Sequence, residues 1–235
     1  MWTIVSYQPV SLISLKLSTA TSTGGKSLLL PTPFAFKMAL LDVILRTLGV
    51  EEGRQLWPVV RDARIALRGP QHIAVTNTFT KILRPIKGKP SPDPDTGLIR
   101  PLLNTIGFRE YVQWQGSLQV AFQPGDAMAE GWPRWLSMIT YLGKRGGFIQ
   151  AEKVAQADEL PSGFTLLKPL QDRFPTEGIL QVMDDCAPHL TFEHVDIYSS
   201  KNIRVGKERL LHHVVIPYRL HKASRGFTLY QRLDA

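Results

Sequence analysis

Residues 31–49 read PTPFAFKMALLDVILRTLG, and this stretch carries the clearest structural pattern in the chain. The hydroxyl of Thr32 can cap a helix, and Pro33 suits a first helical position because its ring presets φ. Gly49 suits the position after the last turn, where a residue without Cβ is favoured. The segment therefore predicts a helix over about 33–48. Its apolar residues recur at helical spacing and predict one buried stripe without a ligand: Phe34, Met38, Leu41, Leu45 and Leu48.

The sequence around this helix favours strands and turns. A second helix is predicted at about 51–60 and a third at 131–142. Strands are predicted at about 2–19, 62–68, 72–79, 107–122, 148–150, 209–219 and 226–233. The order of strand, helix, strand, strand, excursion, strand, helix, strand resembles that of a ferredoxin-like or RNA-recognition fold and predicts an α+β chain of this type.

Residues 81–106, KILRPIKGKPSPDPDTGLIRPLLNTI, break this pattern. Proline cannot donate to a strand ladder, so a proline-rich run is not expected in the middle of a sheet. Strand-like sequence resumes at 107, so the run is an excursion from the domain and not a linker. Its five prolines are Pro85, Pro90, Pro92, Pro94 and Pro101.

The composition bounds the class of protein. The 235 residues suit one large domain, or one domain with a smaller appendage, and 43% apolar residues can form a core. The net charge of +8 favours a polyanionic partner, with a generic basic surface as the alternative.

The single cysteine, Cys186, allows no intramolecular disulfide, which fits a reducing cytosol and a cytoplasmic location. The N-terminal residues lack the pattern of a signal peptide, and no apolar run is long enough to predict a membrane span. One cysteine with scattered histidines is too little for a structural zinc site, so no metal or cofactor is predicted.

Residues 20–27, ATSTGGKS, end like a phosphate-binding loop. The first glycine of that motif is replaced by Ala20, and the following residues contain two prolines where a helix should begin. Nucleotide hydrolysis is therefore disfavoured. The segment is instead predicted to be a mobile loop that brings Lys26 and Ser27 to an RNA phosphate.

Cations in the excursion form a second predicted RNA contact, because each neutralised phosphate adds to a salt-dependent affinity. They are Lys81, Arg84, Lys87, Lys89, Arg100 and Arg109. A solvated surface loop is the alternative. The turn GKRGG (143–147) is a third candidate, in which Lys144 and Arg145 precede two glycines that allow close approach of a ligand. Its alternative is an ordinary helix C-terminus with cations in the last turn.

No catalytic residue is predicted. Asp184 and Asp185 are adjacent near Glu193, but they form no arrangement typical of a metal-dependent nuclease. The tandem His212 and His213 would point to opposite faces of a strand. The chain is therefore expected not to be an enzyme.

Residues 31–49 resemble the segment after the first strand in the CRISPR-associated Cas-five family, where a proline-rich turn opens an alanine- and leucine-rich helix. Residues 141–150, YLGKRGGFIQ, resemble that family's Leu-Gly-Lys turn before a strand. The excursion between them resembles the position of its thumb hairpin. The resemblance covers residues 1–150, which are predicted to form one domain including the thumb. Residues 151–235 are predicted to be a small β-rich C-terminal region.

The resemblance implies a modified RNA-recognition fold of the RAMP superfamily. It also implies a non-catalytic subunit of a type I Cascade-like complex that caps the 5′ handle of the guide RNA. Its implied partners are the backbone subunit, the large subunit and nearby target DNA, with no membrane. Some family members cleave the guide precursor through Tyr, Lys and His, but Lys81 and His72 cannot be assigned to that set. A metal-independent endoribonuclease and a basic RNA-binding scaffold outside CRISPR systems remain the alternatives.

Overall fold

The predicted first helix, α1 (Pro33–Leu48), is present in the computed structural model, which describes residues 1–17, 24–99, 102–125, 131–143, 146–169 and 175–233. The Ala35 N–H donates to the Thr32 hydroxyl across 3.2 Å, and Gly49 has a φ of 100°, so both predicted ends are confirmed. The remaining helices are α2 (Val50–Arg61), α3 (Trp132–Ser137) and α4 (Phe192–Val195).

The buried face of α1 differs from the predicted stripe. Leu41 is buried, but Phe34, Met38 and Leu45 are only partly buried, and Leu48 is exposed. The helix contacts α2, α3 and the strand Ile179–Cys186, so its buried surface is wider than one stripe and includes other residues. The buried apolar residues of α1 include Phe36, Ala39, Leu40, Leu41, Val43 and Ile44.

Twelve strands are described, and they make the chain an α+β protein of mainly antiparallel sheets. They are β1 (Trp2–Pro9), β2 (Gly24–Gly25), β3 (Arg64–Arg68), β4 (His72–Pro85), β5 (Leu102–Gln115), β6 (Leu118–Gln123), β7 (Ile149–Ala157), β8 (Thr165–Leu166), β9 (Ile179–Cys186), β10 (Arg209–Ile216), β11 (Tyr218–Ala223) and β12 (Phe227–Arg232). The first sheet has the order β7-β1-β6-β3-β8, and the second has the order β11-β12-β4-β5-β2. β9 and β10 pair separately.

The main core lies between α1 and the first sheet. The ring of Phe36 packs edge-on against Phe122 of β6, with 5.6 Å between centroids, and tilts over Tyr7 of β1. Burying such rings removes a large apolar area from water and anchors the helix to the sheet. The Tyr7 hydroxyl donates to the Leu136 carbonyl across 2.7 Å, which ties α3 to the same strand.

The excursion at 81–106 is more regular than predicted. β4 and β5 pair continuously from His72–Gln115 to Pro85–Leu102, so residues 81–85 and 102–106 are strands of one long hairpin. Pro85 is the last residue of β4, and Pro90, Pro92 and Pro94 lie in the connection, where no ladder N–H is lost. The expectation that prolines exclude regular structure across the whole run was wrong. The outer part of the hairpin is largely exposed.

Several predicted strands end earlier or divide. The strand predicted over 2–19 ends at Pro9, and the one over 107–122 divides at Gly116, whose φ is 110°. The strand over 209–219 divides at Pro217, which separates β10 from β11 in a different sheet. The helix over 131–142 ends at Ser137. β9 and β8 were not predicted.

β7 spans the predicted boundary at residue 150 and pairs with β1, while β12 pairs with β4. The division into residues 1–150 and 151–235 stays a prediction. Within the described part of the chain, no helix combines the length and apolar character needed to cross a membrane.

Candidate nucleic-acid interface

A cleft of about 700 Å³ lies where six parts of the chain meet. They are the segment after β1, the chain leading into the start of α1, the middle of β5, the turn before β7, and one residue each of β9 and β10. The cleft is lined by Leu12, Ser14, Leu15, Lys16, Leu28, Thr32, Phe34, Ala35, Met38, Ala39, Arg109, Tyr111, Tyr141, Gly143, Gly146, Gly147, Asp184 and Arg209. Cationic and aromatic side chains therefore surround a largely apolar floor.

Backbone hydrogen bonds hold the segment after β1 in place. Ile13 and Val112 of β5 exchange two N–H···O bonds of 2.9 and 2.7 Å, and the Leu28 N–H donates to the Leu15 carbonyl across 2.8 Å. Lys16 directly follows these anchors and forms an antiparallel bridge with Ser27, so its backbone position at the cleft is set by the chain before α1.

The predicted loop residues Lys26 and Ser27 lie beside β5. Gly24 and Gly25 pair with Phe108 and Arg109 as the short parallel strand β2, so this part of the expected mobile loop is strand instead. The Ser27 N–H donates to the Glu110 carboxylate across 2.8 Å, and its hydroxyl accepts from the Leu15 N–H across 3.0 Å. Ser27 thus links the cleft-lining residue Leu15 to β5, while Lys26 is exposed.

The glycine turn before β7 forms one wall of the cleft. Gly143 has a φ of 69°, and a Cβ there would lie 2.5 Å from a Leu15 methyl group, so only glycine fits. The Ser11 hydroxyl donates to the Gly146 carbonyl across 2.5 Å and accepts from the Phe148 N–H across 2.7 Å. Lys144 and Arg145 lie outside the described residues, but the glycines on either side line the cleft.

The hairpin cations do not all reach the cleft. Arg109 lines it, whereas Lys81 and Arg84 lie three and six residues further out than Thr78, the partner of Arg109. At the rise of a strand these separations are about 10 and 20 Å. Lys87 and Lys89 lie in the connection at the tip, and Arg100 is outside the described residues. The structure therefore divides the predicted set between the cleft and the projecting arm.

Sequence reasoning missed Lys16, Tyr111, Tyr141 and Arg209 as lining residues. The guanidinium of Arg209 lies 4.3 Å from the centroid of the Phe34 ring and donates to the Asp184 carboxylate. Arg209, Phe34 and Asp184 lie on β10, α1 and β9, respectively. No local motif marks such a contact.

Asp185 and Cys186 lie in largely buried surroundings, and burial shifts the pKa of each side chain. Burial raises the pKa of Asp185, against the effect of Lys37, whose ammonium lies 2.5 Å away. Burial raises the pKa of Cys186 to about 12, so the thiol is protonated near neutral pH and is a poor nucleophile. Across the described ranges, no three histidine, cysteine or carboxylate side chains group closely enough to hold a metal ion.

His72 and Lys81 cannot belong to one catalytic centre. Both lie on β4, nine residues apart, which is about 30 Å at the rise of a strand. The odd spacing also places them on opposite faces of the sheet. The ring of His72 instead lies 6.3 Å from that of His221 on β11.

Comparison with known proteins agrees with the resemblance carried by residues 31–49 and 141–150. Over 215 residues the chain is 26% identical to a protein from Archaeoglobus fulgidus named CRISPR-associated protein Cas5. The match covers 88% of this chain and 90% of that protein. The chain is similar to Cas5 over most of its length. Because the match to Cas5 covers so much of the chain, it extends past residue 150 into the C-terminal region.

Two other comparisons concern family models and solved structures. No family model matches the chain. The crystal structure of a CRISPR protein from Archaeoglobus fulgidus aligns with 99% of this chain and 92% of its own, at a TM-score of 0.48 and 13% identity.

Proposed function

We propose that the chain is a CRISPR-associated RNA-binding subunit of a type I Cascade-like complex, which holds the 5′ handle of the guide RNA without cutting it. The observation that carries this proposal is the cleft itself. In a chain similar to Cas5, it gathers Lys16, Arg109 and Arg209 beside a glycine turn.

The chemistry of the cleft suits a nucleic-acid strand. Cations at the rim neutralise phosphates and release counterions, which supplies sequence-independent affinity. The backbone at Gly146 and Gly147 can approach a phosphate closely because no side chain intervenes. Tyr111 and Tyr141 offer rings on which unpaired bases can stack.

The architecture supports the same proposal. The order β7-β1-β6-β3, with helices after the first and third of these strands in the chain, supports a ferredoxin-like sheet. The β4–β5 hairpin is the candidate thumb, and its outer part displays Phe79, Leu83 and Ile106 to solvent. In this proposal the hairpin lies near paired guide and target DNA, and the rest of the surface meets the backbone and large subunits.

The absence of cutting is part of the proposal and follows from the surroundings of the cleft. General acid–base cleavage of RNA needs a positioned imidazole or ammonium near the 2′-hydroxyl and the leaving oxygen. Lys16 brings an ammonium to the cleft, but no histidine lines the described part of the cleft to act with it, and the carboxylate of Asp184 accepts from Arg209. These features favour binding over the endoribonuclease alternative.

The test compares two RNAs on the full chain by fluorescence anisotropy. One is the host's repeat-derived 5′ handle, and the other is a scrambled RNA of equal length. We expect preference for the handle of about tenfold or more, which corresponds to about 1.4 kcal/mol. Equal affinity for both would support the basic scaffold alternative and remove guide specificity.

A charge-matched pair of variants locates the site. Lys26→Gln with Arg109→Gln should weaken handle binding. Lys153→Gln with Lys207→Gln removes the same charge from exposed positions outside the cleft and should leave handle binding near that of the wild type. Equal effects of the two pairs would show that net charge alone governs binding.

A further inference from the structure

The outward face of the second sheet carries cationic side chains, whereas the acidic residue of these strands lies on the inward face. Side chains alternate between faces along a strand, and cross-strand partners share a face. Ile73, Val75, Val112 and Trp114 are buried and define the inward face. His72, Thr76 and Thr78 therefore point outward on β4, together with their β5 partners Gln115, Tyr111 and Arg109.

The same alternation extends the face across β12 and β11. Gln231 pairs with His72, and Arg219 pairs with Gln231, to which its guanidinium donates across 3.3 Å. Lys222 pairs with Leu229, which pairs with Ala74. The contact between the His72 and His221 rings places His221 on this face as well, at the irregularity in β11.

Within the strands that the structure describes, the outward face contains no carboxylate. Glu110 is the single acidic residue of β4, β5, β11 and β12, and it lies on the inward face opposite Asn77. Its carboxylate accepts from the Ser27 N–H. Among the described residues, Arg109, Arg219 and Lys222 take part in no ion pair. These cations are therefore available to an anionic partner.

The outward face joins the cleft at β5. Arg109 and Tyr111 line the cleft and also belong to this face. From β5 to β11 the face spans three strand spacings, about 14 Å, and Arg109 to Gln115 adds about 20 Å along the strand. A strand of nucleic acid that leaves the cleft at Arg109 would meet Arg219 and Lys222 at the far edge.

We propose that single-stranded RNA runs from the cleft across the outward face of β5, β4, β12 and β11, held at its far end by Arg219 and Lys222. This inference rests on the proposed function for the identity of the strand as RNA. It adds a second contact region formed by the C-terminal strands.

The chemistry of the face favours a single strand. Sheets bind unpaired RNA by stacking bases on exposed rings, and Phe227 and Tyr111 supply two such rings here. Three glutamine amides, Gln113, Gln115 and Gln231, offer donors and acceptors to base edges. The major groove of an RNA duplex is too deep and narrow for short side chains on a flat sheet to read.

The experiment measures affinity against salt for a single-stranded oligouridine of about 20 nucleotides, a length that exceeds the site of one small binding domain. Arg219→Gln with Lys222→Gln should reduce the slope of log affinity against log salt by about 1 to 1.5, because two phosphate contacts are lost. Lys153→Gln with Lys207→Gln is the charge-matched control and should keep the wild-type slope. Photo-crosslinking with 4-thiouridine should label peptides from β11 and β12.

Each alternative has its own outcome. A slope equal to that of the control pair, or crosslinks confined to the cleft, would overturn the proposed path. If Arg219→Gln with Lys222→Gln lowered the affinity for duplex DNA only, the face would be assigned to a duplex. If it lowered the affinity for polyglutamate equally, the face would be assigned to an acidic protein. Handle preference of the wild type is a separate readout. If the wild type shows no preference for the handle while the salt slope still changes in the Arg219/Lys222 variant, the guide-specific function is wrong and the RNA path stands.

Discussion

Lys37 of α1 donates from its Nζ to Oδ1 of Asp185 in β9 across 2.5 Å. The Lys37 side chain is 4% exposed, so this ion pair joins the first helix to the β9–β10 pair in a nearly dry environment. The neighbouring Asp184 accepts from Arg209, which lies over Phe34. Two adjacent carboxylates thus bind cations from different elements, and both serve to connect α1, β9 and β10.

Removing one partner of this pair should be costly. Lys37→Met should lower the free energy of unfolding by about 3 kcal/mol, because Asp185 is left buried without its counterion. The loss should shrink as pH falls. Without Lys37 the already raised pKa of Asp185 rises further, and a group with a raised folded pKa stabilises the fold in its protonated form. Urea denaturation at pH 7 and pH 5 measures both effects, with Lys37→Met/Asp185→Leu as the control expected to recover much of the loss.

Leu41 is expected to be a core residue without a ligand. Leu41→Ala should lower the free energy of unfolding by about 2–5 kcal/mol because a buried side chain is truncated. Leu48→Ala is the matched control in the same helix, and it should change stability by less than about 0.5 kcal/mol because Leu48 is exposed. A stable Leu41→Ala variant that lost RNA binding would contradict this interpretation.

The tip of the β4–β5 hairpin is expected to be mobile in the free protein and protected by RNA. Lys81 and Arg84 lie in paired strand, so trypsin should cut first at Lys87, which precedes a glycine in the connection. Limited proteolysis with and without guide RNA measures this, and Lys87→Gln should remove the first cut. Equal cutting in both states would argue against contact between the hairpin and RNA.

Lys144 and Arg145 are expected to contact guide-RNA phosphates, because the glycines beside them line the cleft. Lys144→Ala with Arg145→Ala should lower the slope of log affinity against log salt by about one to two units. The exposed pair Lys153→Ala with Lys207→Ala controls for net charge. An unchanged slope in the turn variant would exclude both residues from the site.

The isolated protein is expected not to cut its guide precursor. His72 begins β4 of the hairpin, but Lys81 lies on the other face of β4, so the two cannot share a proton-transfer site. Single-turnover incubation with excess protein, with magnesium or with EDTA, should leave the precursor intact. Specific cleavage that disappears in His72→Ala would establish the endoribonuclease alternative.

The excursion and the cleft show how far prediction from sequence reached. The proline-rich run was predicted to be an excursion from the domain, but its regular strand pairing was missed. The partner of each residue in β4 lies up to 43 positions away, and single-strand patterns do not reveal it. Arg109 was predicted as an RNA contact and lines the cleft. Arg209 was not, because its place there depends on contacts with Asp184 and Phe34, 25 and 175 positions away.

The sequence by itself determined what rests on neighbouring residues. Thr32 and Gly49 set the ends of α1, and the excess of cations favoured an anionic partner, because caps and net charge depend on local chemistry and simple counting. Only the tertiary structure decided which face of α1 is buried, how β4 pairs with β5 and β12, and which cations meet. Those features arise from packing and hydrogen bonds between distant segments, whose geometry exists only after the chain has folded.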